Sequence, residues 1–514
     1  MQLDRTKNAK RNFIFGVLYR LLMIILPFIL RTIVIKYLGD LYAGATSLFS
    51  SILSVLNLAE LGIGTSIVYC MYKPIAEGDD DKICALLKLY KKAYTTIGVI
   101  ILIIGLILTP FVPNLVKGSF PSDLNIYVVF IIQLLSTCVT YFMFAYKSAL
   151  IEAFQRNDIS SITHSILAFL EYIIQIVLMI IFHNYYLYLI ISPCFNIIYN
   201  IVIALVVNKK YPQYVPKGDL SKEETSLIIS KVRSLFIYKI GNVVSNSVDN
   251  IFLSAYIGLT TVFMYNNYYY VISSLFTILS VYYSSMLAGL GNKMVLETKE
   301  ENYDLFNKLF FLQGWIIGWM ATCLLCLFQD FITLWVGEVY TFDLYIVILL
   351  CVYFYTWKIN DIAHTFKDAA GLWEYDRFRP FIASLLNLTI NLLLINKIGV
   401  AAVIISTISC EVTFSLFWGV RILFEKYFNI SFVEYLKKYL LYIVYAAIMM
   451  TCTYFICSVV HLDNLLVQLI FKGIICIIVP NIIFIFINQH SDNLKWAFNE
   501  VIIKTLRRNK NVER

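Results

Sequence analysis

The chain has 514 residues, 60% of them hydrophobic and 14% charged, with 41 Lys and Arg against 33 Asp and Glu for a formal net charge of +8. Its mean hydropathy is +0.76, whereas a soluble domain carries about 25% charged and about 45–50% apolar residues. Apolar stretches of about 20 residues, each long enough to cross roughly 30 Å of hydrocarbon, recur from end to end, which excludes a soluble enzyme, a secreted disulfide scaffold and a disordered chain.

Taken in chain order, the apolar runs predict fourteen spans at 12–35, 43–70, 93–113, 124–146, 160–182, 185–207, 234–257, 262–290, 309–329, 342–366, 380–396, 399–420, 439–460 and 464–488. Helices are expected for all of them, because backbone polar groups in lipid must be satisfied within the segment. Arg5, Lys7, Lys10 and Arg11 precede the first run, which is too long for a signal h-region and lacks a small-residue cleavage site. It reads as a first span entered from the cytoplasm, and an even count places both termini on the cytoplasmic side of the cell membrane.

Charge placement supports this count. Of the 41 Lys and Arg, five (Arg20, Arg31, Lys239, Lys358 and Lys472) fall inside spans and three (Lys36, Lys117 and Lys397) in outer loops, leaving 33 on the cytoplasmic side. A missed span would scramble that asymmetry. The surplus of positive charge is thus a matter of topology and lipid headgroups, and no nucleic-acid partner is expected. The outer loops are short, so any function is expected to sit inside the bundle.

The longest polar interruption, NKKYPQYVPKGDLSKEETSLIISKVR, occupies 208–233 and follows six spans. It divides the chain into an N-terminal lobe (1–207), a cytoplasmic linker (208–233), a C-terminal lobe (234–425), two extra spans (426–490) and a basic tail (491–514). Faint self-similarity accompanies this division. At an offset of 219, Arg20 aligns with Lys239 and Gly39 with Gly258; near 220, AYKSALIEAFQRND (145–158) meets TFKDAAGLWEYDR (365–377), with Lys147 over Lys367.

An ionisable group within a span costs at least about 2.5–3.5 kcal/mol on insertion scales and therefore faces the bundle interior or a hydrated cavity. Arg20, Arg31, Glu60, Glu171, Lys239, Asp249, Glu411 and Lys472 are so placed. Arg20 and Arg31, about three turns apart, share a face of the first helix. Lys239, Asn242, Asn246, Asp249 and Asn250 form one polar stripe on the seventh. His164, Glu171 and Gln175 share a face of the fifth; Asn57 and Glu60, Ser384 with Asn387 and Asn391, and Thr407 with Glu411 and Ser415 do so elsewhere. Interhelical hydrogen bonding accounts for isolated Asn and Ser, whereas the first and seventh helices point to a hydrated cavity. Arg20, Arg31 and Lys239 would suit an anionic substrate group such as a pyrophosphate. Glu60, Glu171, Asn246, Asp249, Asn250 and Glu411 supply the remaining polar wall. Its carboxylates either offset the basic charge or bind H⁺ or Na⁺ for coupling, and sequence leaves both roles open.

Other signals are weaker. Cys323 and Cys326 have CxxC spacing but lie mid-span with no His or second pair nearby in the sequence, and read as packing cysteines with no metal. Gly314 and Gly318 form a GxxxG that predicts a close helix contact. YNNYYY (Tyr265–Tyr270) reads either as interfacial aromatic anchoring or as a sugar-contacting rim. Walker A, HExxH and GxSxG patterns are absent, so neither an enzyme nor a cofactor is expected.

The segments RTIVIKYLGDLYAGATSLFSSILSVLNLAELGIGTSIVYCMYKPIAEGD (31–79), YPQY at Tyr211, SNSVDNIFLSAYIGLTTVFMYNNY (245–268) and AAGLWEYDRFRPFIASLLNLTINLLL (369–394) resemble Wzx-like lipid-linked oligosaccharide flippases of the multidrug/oligosaccharidyl-lipid/polysaccharide exporter superfamily. The likeness spans about residues 12–425 and both lobes. It implies a V-shaped pair of six-helix lobes that translocate undecaprenyl-diphosphate-linked repeat units from the cytoplasmic to the outer leaflet by alternating access. It also implies that Arg31 and Asp249 line the central cavity, with glycan polymerase and glycosyltransferases as partners. Lipid II flippases carry more basic residues at the first helix than this chain does, which favours capsule, exopolysaccharide, O-antigen or teichoic-type glycans over the peptidoglycan precursor. The rivals are a cation-coupled multidrug antiporter of the same superfamily, a membrane-embedded glycan polymerase or ligase, for which the outer loops are too short, and a non-transporting assembly scaffold.

Overall fold

The computed structural model describes residues 5–60 and 63–499. In chain order its α-helices are α1 (Arg5–Tyr37), α2 (Asp40–Leu56), α3 (Ile63–Glu77), α4 (Asp80–Leu108), α5 (Ile126–Phe142), α6 (Ala145–Ala153), α7 (Asn157–Phe182), α8 (Tyr185–Lys210), α9 (Lys222–Tyr256), α10 (Leu259–Leu296), α11 (Lys299–Val336), α12 (Leu344–Lys358), α13 (Asp361–Ala369), α14 (Arg379–Ile398), α15 (Val400–Cys410), α16 (Phe432–Ser458), α17 (Leu465–Ile487) and α18 (Asp492–Trp496). No strand occurs among the described residues. Among the described residues, eleven helical stretches are long and apolar enough to cross a membrane, or twelve if α5 and α6, bent by 54° at their junction, form one span. The protein is an all-α, multi-pass integral membrane protein.

Each of the fourteen predicted spans falls on helix, but several are interrupted. The run 43–70 breaks after Leu56 into a 3₁₀ turn, Asn57–Glu60, before α3 resumes. The α5–α6 bend passes through Phe144 at φ 51°. The helix begun by α15 continues in π-helical form over Glu411–Val420 and Leu423–Phe428; such widened turns occur often at functional positions. The helix starts follow from side-chain caps. Asp79, Asn125, Asn184 and Asn464 accept from the amides that open α4, α5, α8 and α17, while Ser221–Glu224 and Thr298–Glu301 form capping boxes for α9 and α11.

The chain divides into two compact units, Met1–Asn266 and Asn267–Arg514. In the first, α1 packs along α7, α5 along α8 and α2 along α9, over a core that includes Phe49, Phe130, Leu134 and Tyr185. Gly44 lets α2 meet the start of α10, where a Cβ would stand 2.3 Å from the Leu259 carbonyl oxygen. In the second unit, α11 packs along α16 and α17, and α14 along α15. Phe306, Phe310, Phe366, Phe424 and Tyr435 form its aromatic centre. The GxxxG contact is borne out: a Cβ on Gly314 would meet Tyr442 at 2.9 Å, and one on Gly318 the Met449 methyl at 2.5 Å, both on α16. The linker is docked rather than free. Tyr211 is buried and stacks on Phe154 at 4.5 Å, Lys88 pairs with Asp219 at 2.9 Å, and Lys82 pairs with Glu224. The last part of the basic tail, 500–514, lies outside the described residues.

Candidate functional site

Three polar constellations emerge, two in the first unit and one in the second. The first gathers around the opening turns of α10. Arg31 on α1 is half-buried; its guanidinium lies over the Phe263 ring at 5.6 Å and donates to the Phe263 carbonyl at 3.4 Å. Asp249 on α9 is buried and accepts from the Tyr265 hydroxyl at 3.3 Å. Asn250 donates to Ser51 on α2 at 2.9 Å and receives a 2.7 Å bond from Asn266. Arg31, Asp249 and Asn250 are therefore drawn to one short stretch, Phe263–Asn266. This corrects both readings of YNNYYY. Tyr265, Asn267 and Tyr268 are buried, and the Tyr268 hydroxyl donates to Gln329 at 2.7 Å and accepts from the Phe342 amide at 3.1 Å. The motif forms packing and hydrogen bonds rather than an interfacial belt or an open rim.

The second constellation surrounds a cavity of about 350 Å³ between α2, α5 and α8. Its wall is rich in uncharged hydrogen-bonding groups: Thr46, Ser50, Ser54, Asn57, Gln133 and Ser136 among them, with Tyr188 and Ser192. Two predicted carboxylates stand just behind it. Glu171 on α7 accepts from Ser192 at 2.6 Å, and Gln175 donates to the same hydroxyl at 3.1 Å. The charges of Glu171 and Arg31 both reach Tyr188. Glu60, in the 3₁₀ turn that breaks the second span, accepts from the Tyr94 hydroxyl and from Tyr141 at 2.6 Å, while Tyr141 also reaches the Asn57 oxygen at 3.2 Å. Gly64 leaves room for this clamp, since a Cβ there would stand 2.9 Å from the Tyr90 and Tyr94 hydroxyls. The Glu60 carboxylate is thus committed to fixing the turn that presents Asn57 to the cavity.

The third constellation belongs to the second unit; the sequence pattern puts Glu411 and Ser415 on one face and Lys358 inside a span, but not the partners that meet them. Ser415, one turn after Glu411, lies 2.7 Å from His364 Nε2. The charges of Arg379, Asp361 and Lys358 reach Glu411. Lys358 donates to Asp361 at 2.8 Å and lies over the Phe276 ring at 4.2 Å. Asp376, fully buried, accepts from Lys367 and, at 2.9 Å, from Arg379. Lys358, Lys367 and Arg379 thus meet Asp361, Asp376 and Glu411, with Asp368 close enough to act on Lys367. A stripe at helical spacing (Lys358, Asp361, His364 or Thr365, Asp368) was the available signal. A counterpart in the first unit was also missed: Asp158, fully buried, held by Arg156 at 2.8 Å and by Arg11 at 2.8 Å. Asp158 and Asp376 both lie in the two segments that the repeat pairs, two residues out of step with the offset of 220.

The remaining predicted residues fall elsewhere. Arg20 is exposed on α1. Lys239 and Asn246 lie on α9, but their side chains are outside the described residues. Gly39 and Gly258, paired by the offset of 219, both sit at helix-to-helix turns with φ of 106° and 140°, which glycine adopts without a Cβ penalty.

Neither a protein-family model nor a curated relative matches the sequence. Among solved structures, the chain is similar to a lipid II flippase, MurJ, in an inward closed conformation, with a TM-score of 0.66 and 16% identity over 93% of this chain and 99% of that one. It is also similar to an outward-facing multidrug resistance MATE family transporter of the MOP superfamily (TM-score 0.52, 13% identity, 80% and 93% covered). A MATE protein in a bent conformation gives 0.51 at 12% identity over 81% of this chain and 95% of its own. At these identities the likeness is one of fold: the chain shares the fold of these solved transporters.

Proposed function

We propose that this protein is a flippase that moves undecaprenyl-diphosphate-linked oligosaccharide repeat units from the cytoplasmic to the outer leaflet by alternating access, for capsule, exopolysaccharide or O-antigen-type glycans. The observation that carries the reading is the cavity between α2, α5 and α8, whose wall offers mainly hydroxyls and amides, with no carboxylate and one aromatic side chain, Tyr188. Sugars are recognised through such directional, uncharged hydrogen bonds. A headgroup of several sugars cannot cross hydrocarbon unaided, because each unpaired polar group costs several kcal/mol there, and a polar recess within the bundle would lower that cost. Arg31 supplies a planar cation suited to a diphosphate oxygen, and the fold shared with a lipid II flippase supports a lipid-linked substrate.

In this reading Arg20, Arg31 and Lys239 serve the anionic headgroup, and Glu60, Glu171, Asn246, Asp249, Asn250 and Glu411 serve the polar pathway or coupling to H⁺ or Na⁺. A glycan polymerase and glycosyltransferases would act on either side of the step, and the chain would sit in the cell membrane with both termini cytoplasmic. The test is translocation of a fluorescent undecaprenyl-diphosphate oligosaccharide in proteoliposomes by wild type, Arg31→Ala and Asp249→Asn. Wild-type flipping by both variants would overturn the site assignment, and no flipping by the intact protein would overturn the function. A second reading, a cation-coupled multidrug antiporter of the same fold, draws on the Glu411–Ser415–His364 cluster; proton-driven efflux of lipophilic cations without lipid flipping would establish it. Flipping of the peptidoglycan lipid precursor in preference to other glycan lipids would move the substrate to that class.

A further inference from the structure

Four cysteines of the second unit do not lie apart as their spacing in the sequence suggests. Cys326 on α11, Cys457 on α16 and Cys476 on α17 converge, and their three sulfurs all lie within 4.8 Å of one another. They are 7%, 2% and 1% exposed. Cys323, one turn before Cys326, points its thiol at the Cys476 carbonyl at 3.9 Å. The second cysteine pair that the CxxC lacks in sequence is therefore supplied in space by the last two long helices. Leu327, Tyr454 and Ile475 pack around the group.

Simple packing does not require three thiols from three helices to share one point, since Ala, Ser or Val would fill such positions as well. A soft cation does require it. Three sulfurs around a metal at about 2.3 Å each would stand about 4 Å apart, so closing this cluster takes only a small inward rotation of the side chains. Zn²⁺ in a structural site demands four converging ligands, whereas here three sulfurs converge and the fourth thiol, Cys323, is turned to the Cys476 carbonyl. Cu(I) is served by two or three soft sulfurs alone. Cu(I) on three thiolates would carry a net −2, or −1 if one thiol stays protonated, and the Lys472 ammonium beside the cluster is placed to attenuate that charge. Asp330 follows Cys326 by one turn on α11, and Lys472 precedes Cys476 by one turn on α17. The two join at 2.6 Å, so the neighbouring ion pair is neutral in sum while its Lys472 ammonium stays close to the cluster.

We propose that Cys326, Cys457 and Cys476 form a binding site for a soft monovalent cation, Cu(I), that ties α11 to the last two long helices. Binding converts each coordinating thiol to a thiolate and releases one proton per thiolate to solvent, with no change in oxidation state. The site would make the two C-terminal spans a metal-stapled part of the second unit, and Cu(I) would raise thermal stability through mass action on the folded state.

The purified full-length protein, reduced and in detergent, is titrated with Cu(I) against bicinchoninate as competitor, and separately with Zn²⁺. The expected result is one equivalent of Cu(I) per chain, a rise in unfolding temperature on binding, and loss of both in Cys457→Ser and Cys476→Ser. Cys194→Ser and Cys452→Ser, which alter exposed cysteines outside the cluster, keep the site. Because a serine variant can fail to fold, copper-edge X-ray absorption on the wild type is the independent readout, with a first shell made of sulfur alone expected. No stoichiometric Cu(I) uptake, uptake unchanged in both cluster variants, a shell of nitrogen or oxygen, or preference for Zn²⁺ would each overturn the assignment.

Discussion

Asp376 and Asp158 are each fully buried between two cations, and they differ in how well those cations can reach water. Replacing Asp376 by Ala strands Lys367, whose side chain is 2% exposed, and Arg379, at 15%. Neither can rehydrate without opening the junction between α13 and α14. Removing one partner of a buried ion pair costs about 3–5 kcal/mol, because it leaves uncompensated charge. Replacing Asp158 by Ala strands Arg156, at 20%, and Arg11, at 42%. Arg11 can swing into solvent and Arg156 partly so, which reduces the loss to about 1–3 kcal/mol, the cost of an unmet buried hydrogen-bonding group. The assay is unfolding of the detergent-solubilised protein by titration with a denaturing detergent, followed by helicity. The Asp376→Ala midpoint should fall clearly below that of Asp158→Ala. Adding Lys367→Met to Asp376→Ala should recover much of the loss, since a methionine needs no counter-charge. A wild-type midpoint for Asp376→Ala, or equal losses for both aspartates, would refute the exposure-based reasoning.

Gly44→Leu drives a side chain into the Leu259 carbonyl, which a Cβ alone would approach to 2.3 Å; overpacking of this kind costs about 1–3 kcal/mol, and the same unfolding titration reports it. Ser54→Trp or Ser136→Trp fills the cavity of about 350 Å³, and should abolish lipid flipping in proteoliposomes while leaving the unfolding midpoint close to wild type. Lys82 beside Glu224, followed by the amide and hydroxyl of Ser221, holds the Glu224 carboxyl below the usual carboxylate range. A depressed folded value means the docking contribution is complete above the unfolded pKa of about 4.3 and is lost as pH falls through the lower folded value. Pepsin should therefore begin to cut within 211–224 only well below pH 4.3, and a linker that opens between pH 7 and pH 5 would contradict this.

The membrane fold was legible because its signal is long and redundant. Each span is an apolar run of about 20 residues, and the basic residues that topology excludes from the outside mark where the runs turn. Helix breaks were not legible, since the 3₁₀ turn at Asn57–Glu60 depends on Tyr94 and Tyr141, residues distant in the chain that capture Glu60. Pattern within 43–70 carries no trace of those partners. Periodicity placed Asp249 and Asn250 on one stripe, but it could not say that Tyr265 and Asn266 would meet them, so YNNYYY was assigned to surface roles that its burial excludes.

The same limit explains the cysteines and the second unit's ion network. A helical stripe is visible from one segment alone, whereas a cluster built from one residue on each of three helices has no signature in any of them. Cys326, Cys457 and Cys476 are three single apolar-tolerant residues until α11, α16 and α17 pack. Lys367 and Asp376 fall on either side of a helix break and read as solvated charge until the fold buries both. In a membrane chain this blind spot is systematic. Apolar periodicity is weak where nearly every residue is apolar, so the few polar and sulfur-bearing groups carry most of the tertiary information, and they disclose it only in pairs.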